Sequence, residues 1–318
     1  MSTTGFPINP ELSAIAIAYR NSADSLIADS ALPRVPTAMK FKYTKYDAAQ
    51  GYTVPSTKVG RKSDPNMVDF GGTDVTDECA DYGLDDLIPN SEIEAFNAMP
   101  KPATGGPIDP KAISTMLLTN LILLDREVRV ASTVFNTANY LGSQQQTLSG
   151  TSQWSDYVNS NPLSALLAAL DTPLVRPNKL VIGRLGWTAL RQHPKVVQAV
   201  YKSAQSAGTI SREQLAELLE LEEICIGSAF VNTARKGQVA SYQRAWGKNA
   251  ALIYSNTQAA MSGQPTFGFT AQFGARIAGD IPEPTKGLRG GIRIRSGESV
   301  KEVICAPDVG YYFQNIIP

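Results

Sequence analysis

The sequence predicts an α+β fold, and three features of its 318 residues support that prediction. Residues 47 to 107 are mostly polar and show almost no core-forming pattern. A long apolar helix is predicted directly after them, from Asp109 to about Tyr140. From Lys179 onwards, short apolar runs alternate with helical patterns, which is typical of a lobe built on a central sheet.

The overall composition describes a globular chain without a charge bias. Hydrophobic residues make up 43% of it, and the 29 Lys and Arg residues balance the 29 Asp and Glu residues. A protein dedicated to nucleic-acid binding normally carries a basic excess, so this balance argues against that class. A net charge of zero also weakens repulsion between copies and favours self-association.

The three cysteines, Cys79, Cys225 and Cys305, are widely spaced and form no CxxC pair. Such usage is typical of a reducing compartment, with the thiols acting as small apolar groups. The N-terminus shows no basic segment of a signal peptide. The longest apolar run, Met116 to Leu124, is too short to span a membrane and leads into charged residues. We therefore expect a soluble protein that is made in the cytosol.

The N-terminal 36 residues are expected to form an arm that lies on other surfaces. Asn9-Pro10 is a typical helix start, and a short helix is predicted from Leu12 to Tyr19. A second short helix is predicted near Asp24 to Asp29. Alternating aromatic residues and lysines then predict a strand from Met39 to Tyr46.

The polar stretch from 47 to 107 is too long for an ordinary connection within a compact domain. Ordering its backbone would cost roughly 1–2 kcal/mol per residue, and the stretch lacks the apolar surface to offset that cost alone. It is therefore expected either to be disordered or to fold as an arm against another surface. Its composition favours the arm.

Charge is sorted along this region. Between Arg34 and Lys62 there are seven basic residues and one acidic residue, whereas between Ser63 and Pro100 there are ten acidic residues and no basic one. A basic outgoing limb and an acidic returning limb would pair across a long hairpin, with its tip near residues 63–66 or near Gly71-Gly72. Pairing between the limbs of two molecules is the alternative, and the sequence does not choose between them.

A long helix is predicted from the N-cap Asp109 to about Tyr140, a length of roughly 45 Å. Pro110 suits its first position. Its apolar residues recur at helical spacing and form one stripe, which we expect to pack on a sheet: Ile113, Leu117, Leu121, Leu124, Val128, Ala131 and Phe135. Leu121 and Leu124 are accordingly expected to be buried.

The second half of the chain predicts an α/β lobe followed by a closing sheet. Helices are predicted at 161–170, at 185–200 with a break at Pro194, and at 211–221. Strands are predicted at 180–183, 224–227, 239–246, 250–254 and 267–273. A hairpin turn is predicted at Ser296-Gly297-Glu298, before a strand at 300–306. The apolar C-terminus is expected to be tied into a sheet.

Few residues suggest chemistry. His193 is the sole histidine, and no Cys, Asp or Glu lies near it at metal-ligand spacing, so a structural imidazole is favoured over a base or a ligand. The P-loop, dinucleotide-binding and GxSxG patterns are absent. Asp85-Asp86 better fits a solvated or salt-bridged face than a metal site. Arg289, Arg293 and Arg295 better fit a protein interface than a phosphate site. We expect no enzyme activity, no cofactor and no metal.

Six short phrases follow one another along the chain: Val59-Gly60-Arg61-Lys62-Ser63, Asp81-Tyr82-Gly83-Leu84-Asp85-Asp86, Leu123-Leu124-Asp125-Arg126-Glu127-Val128-Arg129-Val130, Pro177-Asn178-Lys179-Leu180-Val181-Ile182-Gly183, Trp246-Gly247-Lys248 and Ala306-Pro307-Asp308-Val309-Gly310-Tyr311. With the order of the predicted elements, they make the chain resemble the major capsid proteins of tailed double-stranded-DNA bacteriophages. Those proteins have the Hong Kong 97 phage capsid fold. The resemblance covers nearly the whole chain.

The resemblance implies a division into the parts of that fold. These are an N-terminal arm (1–36), a peripheral-domain strand (37–46), an extended β-hairpin loop that reaches over a neighbouring subunit (47–84), a peripheral domain (85–177) with its spine helix (109–140), an axial α/β domain (178–285) and a return to the peripheral domain (286–318).

The resemblance also implies function and partners. Copies would assemble into hexamers and pentamers and form the icosahedral head around the double-stranded DNA genome. Contacts between subunits are expected at Lys58, Arg61, Lys62, Asp77, Glu78, Arg293 and Arg295. Expected partners are a scaffolding protein, the portal, a decoration protein and packaged DNA, which the inner face would touch without sequence specificity; no membrane is expected.

Assembly is expected in the host cytoplasm, and the mature location is the virion. Because no long charged helical segment precedes the arm, a separate scaffold or an already processed chain is expected. Two alternatives stay open: an encapsulin-type compartment of the same fold, and a soluble α/β enzyme with the acidic insert as a lid.

Overall fold

The computed structural model of the chain describes residues 7–18, 26–46, 53–68, 72–99, 109–201, 208–235, 237–256 and 265–318. Its α-helices are α1 (Pro10–Ala18), α2 (Ala28–Ala31), α3 (Asn90–Ala98), α4 (Pro110–Val134), α5 (Pro162–Leu170), α6 (Arg184–Arg191), α7 (Pro194–Tyr201) and α8 (Arg212–Leu219). Its strands are β1 (Arg34–Pro36), β2 (Lys40–Tyr46), β3 (Gly72–Glu78), β4 (Ala80–Pro89), β5 (Gln145–Thr147), β6 (Lys179–Gly183), β7 (Glu223–Gly227), β8 (Phe230–Asn232), β9 (Tyr242–Arg244), β10 (Ala250–Ile253), β11 (Gly268–Glu283), β12 (Gly291–Ile304) and β13 (Gly310–Gln314).

A four-stranded sheet with the order β1-β11-β12-β4 carries the long helix α4 on one face. Strands β11 and β12 are antiparallel and much longer than their neighbours, with an irregularity between Phe273 and Ile277. Ile88, Leu118 and Ile294 bury their side chains between this sheet and the helices. The sheet therefore fixes the position of α4 relative to the returning acidic limb, which supplies β4.

The polar stretch has more structure than predicted. It contributes β3, β4 and α3, although the sequence shows almost no core-forming pattern there, and β3 pairs with β2 as expected for a hairpin of the two limbs. Strand β4 pairs with β12 from Ala80 to Pro89. The partner strand supplies the hydrogen bonds and most of the apolar surface, and neither can be recognised in the local sequence of β4.

The N-terminal predictions are close to the structure. Helix α1 begins at Pro10, the predicted helix start, and continues to Ala18; Tyr19 lies outside the described residues. The short helix predicted near Asp24 to Asp29 is found slightly later, as α2, and residues 19–25 are not described. The predicted strand at 39–46 is confirmed as β2, which pairs with β3.

The long helix begins as predicted and ends earlier. Asp109 accepts a hydrogen bond from the Lys111 N–H (3.0 Å), so it is the N-cap. The helix stops at Val134, and Tyr140 turns inward. The Tyr140 hydroxyl donates to the Val134 carbonyl oxygen (2.7 Å), and its ring stacks on Phe267 at 5.1 Å. Burial of this aromatic ring replaces the last turns of the predicted helix.

The turn predicted at Ser296-Gly297-Glu298 is wrong, because β12 runs through these residues. The chain reverses at residues 284–290, where Gly290 has a φ of 73°. Gly297 serves a different purpose. A Cβ atom at this position would lie 2.9 Å from the Tyr82 carbonyl oxygen, so glycine permits the close approach of β4 and β12.

The second large sheet has the order β5-β13-β10-β6-β7. Helices α5 to α8 pack against its strands, and Leu166, Leu180 and Leu190 are fully buried in that core. The predictions of α5, α6, α7, α8, β6, β7 and β10 are confirmed, whereas the strand predicted at 239–246 is only three residues long and the strand predicted at 267–273 extends to Glu283.

The C-terminus is tied into this five-stranded sheet by β13, as an apolar C-terminal segment predicts. Strand β13 thus lies beside β10 rather than with β11 and β12, and β11 belongs to the four-stranded sheet. After β12 the chain therefore passes from the four-stranded sheet into the five-stranded sheet. The domain boundaries expected from the resemblance stay predictions.

Candidate assembly interface

Residues 53–68, one of the two described segments of the extended loop, are exposed along their whole length. The chain turns at residues 60–63, where the Ser63 N–H donates to the Gly60 carbonyl oxygen (3.0 Å). The side-chain amide of Asn66 donates to the Ser56 carbonyl oxygen (2.8 Å). The turn lies just before the predicted tip at 63–66; the alternative tip includes Gly71, which is outside the described residues. A segment without a core of its own leaves its side chains open to another surface.

Three predicted contact residues lie on this loop. Lys58, Arg61 and Lys62 are all exposed, and none of them forms an ion pair with another described residue. Exposed apolar side chains accompany them, since Val54 and Met67 are 91% and 96% exposed. The loop thus combines free basic groups with apolar side chains, which is the composition of a contact surface.

The base of the hairpin pairs within one chain. Strands β2 and β3 are antiparallel, with Lys42 opposite Thr76. The Lys42 ammonium lies 2.6 Å from the Asp74 carboxylate, and Lys40 lies 3.7 Å from Glu78. The intramolecular alternative is therefore confirmed for this part of the basic and acidic limbs.

Beyond β3, the acidic limb pairs with β12 instead of with the basic limb. The guanidinium of Arg295 donates two hydrogen bonds to Asp85 (2.7 and 2.6 Å), and Arg293 pairs with Asp85 and Glu283. The hydrogen bonds from Arg295 hold the pKa of Asp85 below its usual value. Lys301 reaches Asp77 at 3.6 Å.

These ion pairs account for four of the predicted contact residues within the chain. Asp77, Glu78, Arg293 and Arg295 each have an intrachain partner, so their role between subunits stays a prediction. The Asp85–Arg295 pair joins residues 210 positions apart, a pairing that charge patterning along the sequence does not reveal.

Two adjacent residues of α4 hold the root of the N-terminal arm. Glu127 is fully buried, and its carboxylate accepts hydrogen bonds from the Ile27 N–H (2.7 Å) and the Ala28 N–H (2.9 Å) at the start of α2. It also accepts one from the Trp246 indole (2.5 Å). Burial raises the pKa of Glu127, against the opposing effect of these hydrogen bonds. One side chain thus joins the arm, the spine helix and the second lobe.

A buried charge cluster adds to this anchor. Arg126 is 1% exposed and donates to Asp29 (2.6 Å) and to the Thr270 hydroxyl (3.0 Å). Glu298 on β12 forms ion pairs with Arg34 at 2.8 Å and with Arg276 at 3.1 Å. Burial acts to raise the pKa of Glu298, but Arg34 and Arg276 lower it overall.

Sequence reasoning missed Arg126, Glu127 and Glu298 as structural residues. A signal existed for the first two, because they are adjacent charges on the face of α4 that the buried residues Leu123 and Val130 share. Charged residues on a buried face must be paired, so that position predicts a network. No local signal identified Glu298, which had been assigned to a turn.

The N-terminal part of the apolar stripe of α4 faces outward, which contradicts the predicted burial of Leu121. Leu117 is 60% exposed and Leu121 is 51% exposed, whereas Leu118 is 6% exposed and Ile122 is 4% exposed. Leu124 is half-buried. The helix carries apolar residues on most of its circumference, and the sheet takes the 118/122 side. The N-terminal part of the predicted stripe, with Ile113, Leu117 and Leu121, is therefore an uncovered surface of the isolated chain, whereas Ala131 near its end is buried.

His193 is buried and structural in its geometry. Its Nδ1 accepts from the Lys195 N–H (3.3 Å), so Nε2 carries the proton and donates to Ser160 Oγ (3.0 Å). The Ser160 hydroxyl in turn donates to the Asp156 carbonyl oxygen (2.6 Å). The imidazole therefore cannot accept the serine proton in this arrangement, which argues against a Ser-His nucleophile.

Within the described residues, no group of three or more His, Cys, Asp or Glu side chains is arranged to hold a metal ion. Across the same parts of the chain, each helix is too short or too polar to traverse a lipid bilayer. The loop at 53–68 and the outer face of α4 are two of the described surfaces that carry exposed apolar or unpaired basic groups.

Comparison with known proteins gives two full-length relatives. The chain is 50% identical over 318 residues to the major capsid protein of Pseudomonas phage JBD67, covering 100% of this chain and 99% of that one. It is 24% identical over 331 residues to the major capsid protein of Burkholderia phage BcepMu, covering 97% and 96% of the two chains. No family model matches the sequence.

Solved structures share the fold. A phage-related protein from Bordetella bronchiseptica RB50 superposes with a TM-score of 0.76 at 22% identity, covering 99% of both chains. The capsid structure of cyanophage P-SCSP1u gives a TM-score of 0.56 at 10% identity, covering 93% of this chain and 89% of that one. The predicted capsid fold is therefore confirmed.

Proposed function

The chain belongs to the phage major capsid proteins and forms the icosahedral shell of a phage head, and from that premise we propose which of its surfaces join the copies. The encapsulin-type and enzyme alternatives are not favoured by its relatives. The observation that carries the proposal is the exposed loop at 53–68, which is held at its base by the β2–β3 ladder and has no core of its own.

The loop reaches over a neighbouring subunit and binds it through Lys58, Arg61 and Lys62. A rigid base and an open tip suit a segment whose binding partner is outside its own chain. Each exposed ion pair would contribute about 0.2–1 kcal/mol, but the contact recurs in every copy. Many weak contacts repeated over hexamers and pentamers hold a closed shell without any strong one.

The outer face of α4 is covered during assembly. The exposed side chains of Ile113, Leu117 and Leu121 extend over about 12 Å of the helix at 1.5 Å per residue. An apolar surface of this kind on a single chain marks an interaction site. A scaffolding protein is our proposed temporary occupant, and the portal and a decoration protein are further proposed partners.

Three further proposals complete the function. The inner face of the shell meets the packaged DNA without base-specific contacts, as the balanced net charge permits. Assembly takes place in the host cytoplasm. The protein acts as a structural subunit and not as an enzyme, which the direction of the Ser160–His193 hydrogen bond supports.

Mixed-isotope cross-linking tests the loop contact. Shells are assembled from an equal mixture of unlabelled and nitrogen-15-labelled subunits, then treated with a carbodiimide that joins lysine to carboxylate. We expect Lys58 or Lys62 in peptides that combine the two labels, because the partner carboxylate belongs to another copy. Cross-links confined to equally labelled peptides would show that the loop binds its own chain.

A further inference from the structure

Acidic and basic residues are separated along the second lobe. From residue 213 to residue 223 there are five glutamates and no lysine or arginine: Glu213, Glu217, Glu220, Glu222 and Glu223. The next acidic residue is Asp280. Between Glu223 and Asp280 every charged side chain is basic: Arg235, Lys236, Arg244, Lys248 and Arg276.

Among the described residues, helix α8 with Glu213 and Glu217 lies at one end of β7, and the β8–β9 hairpin with Arg235 and Arg244 lies at the other. Arg276 belongs to β11 and pairs with Glu298. Helix α8 and the glutamates lead into the first residue of β7, Glu223, and the β8–β9 hairpin follows its last residue, Gly227. The strand separates these ends by about 13 Å, at 3.3 Å per residue. In the sheet, β7 pairs with β6 on one side and is the last strand in the order. The lobe therefore has an acidic end and a basic end beside an open edge.

The basic end is anchored and exposed. Trp246 is fully buried, and it fills the space that a Cβ atom on Gly227 would need, so the hairpin is fixed to the core. The guanidinium of Arg244 lies 4.2 Å from the centre of the Phe230 ring. Tyr242 is 70% exposed. Arg235 is exposed and forms no ion pair with another described residue.

The acidic end is equally well held. Leu215 and Leu219 are fully buried and attach α8 to the core, and Ser211 caps the helix. Glu217 lies on the exposed face and makes no ion pair with a described residue. Glu220 and Glu223 pair with Arg176 and Lys179 of the same chain, so Glu217 is the acidic group most open to a partner.

We propose that the β8–β9 hairpin of one copy docks on the α8 end of the next copy, with Arg235 facing Glu217. The two ends lie apart in one chain, so their charges can meet only between chains. A contact between two different surfaces of identical subunits is head-to-tail, and such contacts form a ring when the rotation between copies closes, as in a hexamer or pentamer. Exposed Tyr242 and the Phe230–Arg244 pair supply the aromatic and arginine groups that dominate protein interfaces. The inference deepens the proposed function, since it identifies a contact within a hexamer or pentamer.

A charge exchange tests this docking. Three variants of the full-length chain are supplied in cells that carry the phage's other assembly genes: Arg235→Glu, Glu217→Arg and the two changes together. Particle yield is measured by gradient sedimentation and electron microscopy. Lys286→Glu is the matched control, because Lys286 is an exposed basic residue between β11 and β12 of the other sheet, away from both ends of the second lobe. Thermal unfolding of each unassembled subunit confirms that the variants fold.

Each single reversal should lower the yield about fivefold or more, and the exchanged pair should return it to within about twofold of the wild-type yield, since complementary charges determine which surfaces meet. Lys286→Glu should assemble normally. If the exchanged pair stays as poor as Arg235→Glu alone, the hairpin serves another partner, such as DNA, and the docking is wrong. An equal loss in Lys286→Glu would also overturn it. Absence of shells from the wild-type chain would instead contradict the proposed function.

Discussion

Arg34 and Glu298 lie 264 residues apart in the sequence, and their side chains form an ion pair of 2.8 Å in the interior of the protein. Arg34 belongs to the end of the N-terminal arm, and Glu298 lies in the middle of β12. Arg276 adds a second cation to the same carboxylate. The pair therefore ties the arm to the four-stranded sheet, and the arm can extend from a fixed point.

The stability of the subunit should depend on pH through this carboxylate. The pKa of Glu298 is lowered from 4.5 in the folded state, so the unfolded chain takes up the proton first as the pH falls. The carboxylate of Glu298 therefore stabilises the folded subunit fully above pH 4.5. This contribution is lost as the pH falls through the lowered pKa of the folded state. We expect Glu298→Gln to unfold more easily at neutral pH, by about 3 kcal/mol, and to show a shallower decline towards acid.

Urea unfolding of the unassembled subunit from pH 7 to about pH 3 measures both effects. Glu217→Gln is the control, because it removes an exposed carboxylate without disturbing the buried pair. If the unfolding free energy of Glu298→Gln falls towards acid pH as steeply as that of the wild-type protein, the Arg34–Glu298 pair does not cause the pH dependence.

Alanine substitutions at Leu118 and Leu121 of α4 should affect different properties, the first mainly subunit stability and the second mainly assembly. Leu118→Ala removes a buried side chain and should cost the subunit about 2–5 kcal/mol of unfolding free energy. Leu121→Ala removes a side chain that is 51% exposed, so it should cost less than about 1 kcal/mol. It should nevertheless reduce particle yield, because assembly covers this face. Equal loss of subunit stability in both variants would show that Leu121 is buried within its own chain.

The basic residues of the loop should matter for assembly and not for folding. Reversal of Arg61 and Lys62 to Glu should lower particle yield, while the melting temperature of the unassembled subunit stays within about 2 °C, because surface changes rarely alter stability. The conservative exchange Arg61→Lys with Lys62→Arg is the matched control and should assemble normally. A fall in subunit melting temperature as large as the fall in assembly would place these side chains against their own chain.

A single methyl group should reveal the close contact of β4 and β12. Gly297→Ala places a Cβ atom 2.9 Å from the Tyr82 carbonyl oxygen, which should destabilise the subunit by about 1–3 kcal/mol through overpacking. Gly142→Ala is the control, since nothing lies within 4 Å of its added Cβ atom. Unfolding free energies from urea titration compare the two. A neutral Gly297→Ala would mean that the two strands can separate without cost.

Much of the fold was predictable from local patterns. The N-cap Asp109, the Pro194 break and the Ser211 cap each determine a helix boundary through contacts a few residues away, and all three were identified. The glycine at 297 shows the limit. Its sequence neighbours are typical of a turn. Glycine is needed here because β4, which lies more than 200 residues earlier in the sequence, approaches β12 closely.

The candidate interface was predictable to a similar extent. The loop and its basic residues follow from the sorted charges. The outward direction of the α4 stripe does not, because a helix with apolar residues on most sides gives no indication of which side the sheet will cover. The Leu118 side and the Leu121 side differ only in the tertiary structure.

A cryo-electron-microscopy reconstruction of the assembled particle at side-chain resolution tests the central claim most directly. The account predicts a closed icosahedral shell in which residues 53–68 lie on a neighbouring copy, with Lys58, Arg61 or Lys62 within 4 Å of a carboxylate of that copy. A shell in which this loop packs only on its own chain, or extends into solvent away from every neighbour, would contradict it.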